Sequence, residues 1–249
     1  MNRLPALLFT VVFILCLCGC YSAQTPNETT ATQEITSPPE TVDTPPLTSP
    51  PATEPLPTVT EPWIEPSDQD FVRILDYIPD AVIDLRYATE NNFTGQVIYD
   101  FNDPWLRYGT VKKLMKVQST LAESGYRLKI WDAFRPTAAQ FRLWEVCPDS
   151  TYVANPHNGF SSHSRGNTID ITMVYSNGTE VLMPTGFDDF SKLADRDFSD
   201  CIKEAAENAA YLEKIMAENG FSGYYGEWWH YSDTNSYPVE QNFQPADKE

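Results

Sequence analysis

Only three histidines, His157, His163 and His230, occur in the 249 residues, and two of them stand in dense polar settings. His163 lies in Ser161-Ser162-His163-Ser164-Arg165-Gly166-Asn167-Thr168-Ile169-Asp170, and His230 closes Glu227-Trp228-Trp229-His230. A hydrolytic zinc ion needs three nitrogen or oxygen ligands and one open position for water. His163, Asp170 and His230 offer such a set. Gly166 lets the chain turn between the first two, and a strand beginning near Thr168 would hold Asp170 rigidly. The same spacing also allows a blander arrangement, with His163 capping a loop and Asp170 paired to an arginine. His157, in Asn155-Pro156-His157-Asn158-Gly159, reads as a loop residue away from any metal.

Glu227 precedes His230 by three positions. In a regular strand such residues point to opposite faces, so the two meet one site only where the strand bends or ends. With a bend, Glu227 is placed to take a proton from water beside the metal. Without one, it is a solvated glutamate at the end of an aromatic strand. Arg135, in Trp131-Asp132-Ala133-Phe134-Arg135-Pro136, sits where a strand gives way to a turn. A fixed guanidinium there suits the negative charge that develops on a substrate carbonyl, and it equally suits an ion pair with Asp132.

The elements that must carry these side chains are legible as patterns. Val82–Tyr87 alternates loosely and predicts a strand. Val111, Leu114, Met115 and Leu121 recur at helical spacing up to Gly125. Tyr126–Asp132 is a short apolar strand, and Thr137–Val146 a helix with Thr137 available as its cap. Thr168–Tyr175 is a strand leading into the hairpin signal Ser176-Asn177-Gly178-Thr179 and on to Glu180–Leu182. Ala205, Ala209, Leu212 and Met216 stripe a third helix that Gly220 ends, and Tyr224–Tyr231 closes the chain as an aromatic strand. Mixed strands and helices with hairpin connections predict an α+β domain, a small mixed or antiparallel sheet flanked by helices.

Composition bounds the surroundings. The chain is 41% hydrophobic with a net charge of −18. Residues 1–20 open on the positive Met1–Arg3 and an apolar run from Leu4 to Leu17, too short to span a bilayer comfortably, and predict an export signal, with an uncleaved membrane anchor as the alternative. Its ending, Leu17-Cys18-Gly19-Cys20, resembles a bacterial lipoprotein signal with Cys20 as the lipid-bearing residue. Residues 21–66 hold 11 Pro, 11 Thr and seven acids, with no Lys or Arg. They cannot bury enough apolar surface to offset ordering, and read as a disordered stalk. The folding part is then 67–249, outside the cytoplasm and tied to the outer face of the cytoplasmic membrane. There 28 acids face 16 basic residues, which excludes a nucleic-acid partner. Cys147 and Cys201 are the two cysteines of that part, free to pair in an oxidising compartment.

Taken together, the segments resemble the VanX-like D-alanyl-D-alanine dipeptidases, a family of zinc peptidases. The matching pieces are Asp84-Leu85-Arg86-Tyr87-Ala88-Thr89, Asn92-Phe93-Thr94-Gly95, Trp131 to Pro136, Ser162 to Gly166 with Ile169-Asp170, Phe187-Asp188, and Glu227 to Tyr231. They stand in the family's order across the folding part. The resemblance implies one Zn2+ on His163, Asp170 and His230, with Glu227 as general base and Arg135 steadying the transition state. It implies Asp188 and Ser161 as holders of the substrate's free amino group and Tyr87 as a pocket residue. Asp189, adjacent to Asp188, competes for that role. The implied reaction is hydrolysis of D-alanyl-D-alanine. The alternatives are a D,D-carboxypeptidase acting on peptidoglycan stem peptides and an inactive wall-binding lipoprotein. Thr168 departs from the family's small alanine. The exported address departs from the resistance members, whose dipeptide pool is cytoplasmic, and points to turnover of wall-derived peptides instead.

Overall fold

Residues 64–247 are described by the computed structural model. The segment expected to be an export signal, Cys20 and nearly all of the Pro/Thr-rich stretch expected to be a stalk lie outside them. In order, the chain forms β1 (Phe71–Arg73), β2 (Val82–Ile83), β3 (Trp105–Arg107), α1 (Tyr108–Glu123), β4 (Tyr126–Asp132), α2 (Thr137–Val146), β5 (Thr168–Tyr175), α3 (Lys203–Glu218), β6 (Phe221–Tyr224) and β7 (Glu227–Asp233). Five strands make one sheet in the order β2-β4-β5-β7-β6, and β1 pairs with β3 in a separate ribbon. Only the β2–β4 pairing is parallel. The fold is the expected α+β with a mixed sheet. Among the described residues no helix is long and apolar enough to cross a membrane.

The centre of the sheet follows from the residues of β5. Ile169, Ile171 and Met173 alternate with Thr168, Asp170 and Thr172, and all six are buried. A strand covered on both faces belongs mid-sheet, which is where β5 lies, between β4 and β7. α1 and α3 pack on each other, on β4 and on the β6–β7 hairpin. The apolar stripe of α1 is Val111, Leu114, Val117 and Leu121, each 0% exposed. Burying side chains of this size contributes about 1.5–3 kcal/mol apiece. Gly125 and Gly220 terminate α1 and α3 at φ of 80° and 81°, a left-handed conformation that favours glycine.

Several expectations needed correction. Met115 lies off the α1 stripe and is exposed, because its position falls outside the buried arc. The strand expected over Val82–Tyr87 stops at Ile83. The Asp84 N–H makes a last bond to the Ile130 carbonyl, and Arg86–Ala88 then coils into a 3-10 turn that points Tyr87 inward. Thr137 is the first helical residue of α2, and Pro136 occupies the cap position without a side-chain bond. The single terminal strand is a hairpin, β6 and β7, turning at Tyr225-Gly226. Cys147 and Cys201, whose pairing the sequence left open, are both free thiols.

Candidate metal centre

Three neighbouring strands carry the site in one row. Asp132 at the end of β4 pairs across from Asp170 of β5, and Asp170 pairs across from His230 of β7. The first pairing exists because the β4–β5 register shifts between Ile130 and Asp132. Directly opposed residues on one face of a sheet bring their side chains together, so the row is set by pairing register alone. His163 arrives from a 3-10 turn, Ser162–Arg165, just before β5. Gly166 closes this turn at φ 73°, and a Cβ there would strike the Phe71 ring, so both conformation and space demand glycine. The Ser161 hydroxyl accepts from the His163 N–H at 3.3 Å and caps the turn.

The three candidate ligands converge. His163 Nε2 lies 3.3 Å from His230 Nδ1 and 3.4 Å from Asp170 Oδ2, and His230 Nδ1 lies 3.0 Å from Asp170 Oδ1. A tetrahedral ion with bonds of 2.0–2.2 Å has ligand-to-ligand edges of about 3.3–3.6 Å, which the two histidine nitrogens and the His163–Asp170 Oδ2 pair match, while His230 approaches the other Asp170 oxygen. The orientation fits as well. His163 Nδ1 lies 2.8 Å from the Ala133 carbonyl, an acceptor, so Nδ1 carries the proton and the Nε2 lone pair faces the other two ligands. Asp170 Oδ1 is a buried oxygen without a hydrogen bond, its approach to His230 lacking that direction. A cation would satisfy all three. Burial raises the Asp170 pKa, but His163 and His230 outweigh it and hold the carboxyl below its ordinary range. Burial disfavours charge on His163, while Asp170 and Asp132 keep its pKa above the usual value.

Glu227 reaches the same side as His230 because β7 bends. Gly223 faces Tyr231 and the next residue, Tyr224, faces Glu227, so Trp228, Trp229 and His230 stand opposite no β6 residue. Glu227 Oε2 thus comes to 3.5 Å from His230 Nδ1. Burial first, and then the Asp170 charge, push its pKa up, which keeps it a competent proton acceptor.

Arg135 does pair with Asp132, as the blander expectation had it, and Arg135 itself lines the cavity. Nε and Nη2 donate to Asp132 Oδ2 at 3.1 and 2.6 Å, and Nη1 donates to Gln140 Oε1 at 3.0 Å. Asp132 is wholly buried and also accepts from the Tyr99 hydroxyl and the Ala133 N–H. The guanidinium lies 4.9 Å over the Tyr87 ring. Tyr87 in turn donates to Asp188 Oδ2 at 2.9 Å. Asp188 adopts φ 55°, turning its carboxylate inward, and burial together with Asp170 raises its pKa well above the ordinary value. Asp189 is exposed and binds its own loop through the Ser191 N–H. Tyr87, Arg135, Asp188, Ser161 and Glu227 line a cavity of about 320 Å³ together with the three candidate ligands, near the small end of the roughly 300–1,000 Å³ typical of small-molecule sites. His157 lies outside it, exposed and edge-on to Phe141.

A family model described as D-ala-D-ala dipeptidase, peptidase M15, matches residues 67–248. The chain belongs to this family. Among its relatives, the D-alanyl-D-alanine dipeptidase of Escherichia coli is 37% identical over 163 residues, covering 65% of this chain and 84% of that one. That of Enterococcus faecium is 32% identical over 169 residues, covering 59% and 83%. A solved LD-carboxypeptidase, LdcB, is similar at a TM-score of 0.41 and 18% identity, covering 69% of this chain and 70% of that one. The chain is therefore a peptidase of the M15 dipeptidase family with a candidate His/Asp/His metal site.

The buried supports behind Arg135 in this M15 site were not legible in the sequence. Asp132 figured there only as a rival partner for Arg135. Gln140, which bridges Arg135 to the Ala154 carbonyl, and Tyr99 did not figure there at all. One signal was available: a carboxylate placed among Ile130, Trp131, Ala133 and Phe134 must be buried, and a buried carboxylate requires several donors.

Proposed function

We propose that this chain is a zinc-dependent D-alanyl-D-alanine dipeptidase working outside the cytoplasm in turnover of wall-derived peptides. In this reading residues 1–20 direct export, Cys20 carries the lipid, 21–66 are the stalk and 67–249 the enzyme. The observation that carries the chemistry is the convergence of His163, Asp170 and His230, one ligating atom from each lying within 4.8 Å of the others, with the Glu227 carboxylate 3.5 Å from His230 Nδ1. His163, Asp170 and His230 would hold one Zn2+, which when bound supplies Lewis-acid polarisation of water and of the scissile carbonyl. Glu227 accepts the proton of the attacking water and returns it to the leaving amine. Arg135, locked against Asp132 and Gln140, presents fixed positive charge to the carbonyl oxygen as it becomes anionic. Asp188 pairs with the free ammonium of the dipeptide, Tyr87 orients Asp188, and the Ser161 hydroxyl is a second acceptor for that ammonium.

Small volume and the Asp188–Tyr87 wall favour a dipeptide over a stem peptide, whose amino-terminal extension would carry no ammonium there. The test is to supply the purified full chain with zinc, D-alanyl-D-alanine and stem peptides ending in it. One zinc per chain and cleavage of the dipeptide alone are expected. Cleavage of stem peptides in preference would establish the carboxypeptidase instead. His163→Ala should lose zinc by metal analysis, and a full complement would refute its role.

A further inference from the structure

The excursion of β7 creates a hydrogen-bonding problem that the sheet cannot solve. On one side His230 pairs with Asp170 of β5; on the other, Trp228, Trp229 and His230 have no β6 residue opposite. Carbonyls left unpaired in the interior are destabilising. Arg196, from the segment between β5 and α3, fills the gap. Its Nη2 donates to the Trp228 and His230 carbonyls at 3.1 and 3.0 Å, and its Nε donates to the Tyr224 carbonyl at 2.8 Å. Nη1 reaches Glu213 Oε1 at 3.1 Å and the Tyr231 hydroxyl at 3.4 Å. The guanidinium thus makes four hydrogen bonds and one ion pair. The group lies 4.5 Å over the Tyr231 ring, and the Arg196 backbone N–H donates to the Tyr225 carbonyl at 2.9 Å. Gly223 belongs to the same device, since a Cβ there would run into the guanidinium.

We propose that Arg196 is a positioning residue for the metal centre: it stands in for the missing strand pairing and holds β7 in the bend that puts His230 Nδ1 and Glu227 on one side. The inference rests on the zinc reading above. Because the guanidinium grips the carbonyl of His230 itself, any slack at Arg196 is delivered directly to that imidazole. A lysine cannot reproduce the grip, having a single compact ammonium where three separate carbonyls are reached by a planar fork.

The experiment compares the full wild-type chain with Arg196→Lys and Gly223→Ala. Its readouts are folding by circular dichroism, zinc affinity by chelator competition, the visible spectrum with cobalt(II) in place of zinc, and kcat with KM for the dipeptide. Loss of such a supporting contact typically weakens metal binding roughly 10–100-fold. Both variants should show that weakening, an altered cobalt spectrum and a lowered kcat with KM near wild type. Folded variants with wild-type cobalt spectra and zinc affinity would overturn the proposal and leave Arg196 a plain structural residue. If Arg196→Lys does not fold, Gly223→Ala decides, since it keeps every charge and disturbs only the seat of the guanidinium. A wild-type chain that takes up no zinc overturns the zinc reading and this inference with it, whereas normal uptake with unaffected variants overturns this inference alone.

Discussion

Replacing Asp132 by asparagine separates the structural weight of the Arg135 pair from its chemistry. Asp132 is 0% exposed, and one of its oxygens accepts two bonds from Arg135 while the other serves Tyr99 and Ala133. An asparagine oxygen can keep Tyr99 and Ala133, but its NH2 then faces the guanidinium, donor against donor. Removing one partner of a buried ion pair destabilises by about 3–5 kcal/mol, because the other charge stays buried without compensation. That is a factor of roughly 10²–10⁴ in the unfolding constant, against a total stability of about 5–15 kcal/mol for a typical domain. Urea unfolding of the zinc-free chain, followed by tryptophan fluorescence, measures it. The decisive comparison is the double variant Asp132→Asn with Arg135→Gln. Removing both charges leaves no orphan, so it should be more stable than the sum of the two single losses implies, by about 0.5–3 kcal/mol. Strict additivity, or an Asp132→Asn loss below 1 kcal/mol, would refute the claim that this pair is a coupled, desolvated unit.

Glu227→Gln should retain zinc and lose roughly 10²–10⁴-fold in kcat; a metal-free variant would make Glu227 a ligand rather than the base. Asp188→Asn bears on both function and pH. The folded-state pKa of Asp188 is raised, so between its unfolded and folded values the native chain keeps a proton that the unfolded chain has released. Its ionisation thus erodes stability as pH climbs through that window, and the zinc-free asparagine variant should be more stable than wild type above it. The same change should lower kcat/KM for the dipeptide roughly 10–100-fold through loss of a charged hydrogen bond. Equal stability of the two proteins across the pH range would contradict the buried placement of this carboxylate. Cys20→Ser should move the protein from the membrane fraction to the soluble one, and unchanged sedimentation with membranes would exclude a lipid on that residue.

Local pattern was enough for most elements. β4, α2 and β5 have the bounds that periodicity and turn residues indicate, and Gly125 and Gly220 end their helices where expected. The residue types of a metal site were equally visible, because histidine is scarce here and two of three sit in polar clusters. What local pattern could not decide is which side each strand residue faces once pairing partners are chosen. Glu227 and His230 share a side only because the β6–β7 register skips three residues, a gap held open by Arg196 from a distant segment. Asp132 joins the row through a register shift of β4, and Tyr87 turns inward because β2 ends early. Side-chain periodicity is a property of neighbours along the chain, whereas register is a property of strands that are far apart in it. The tertiary structure alone could therefore bring His163, Asp170 and His230 within a coordination distance of one another.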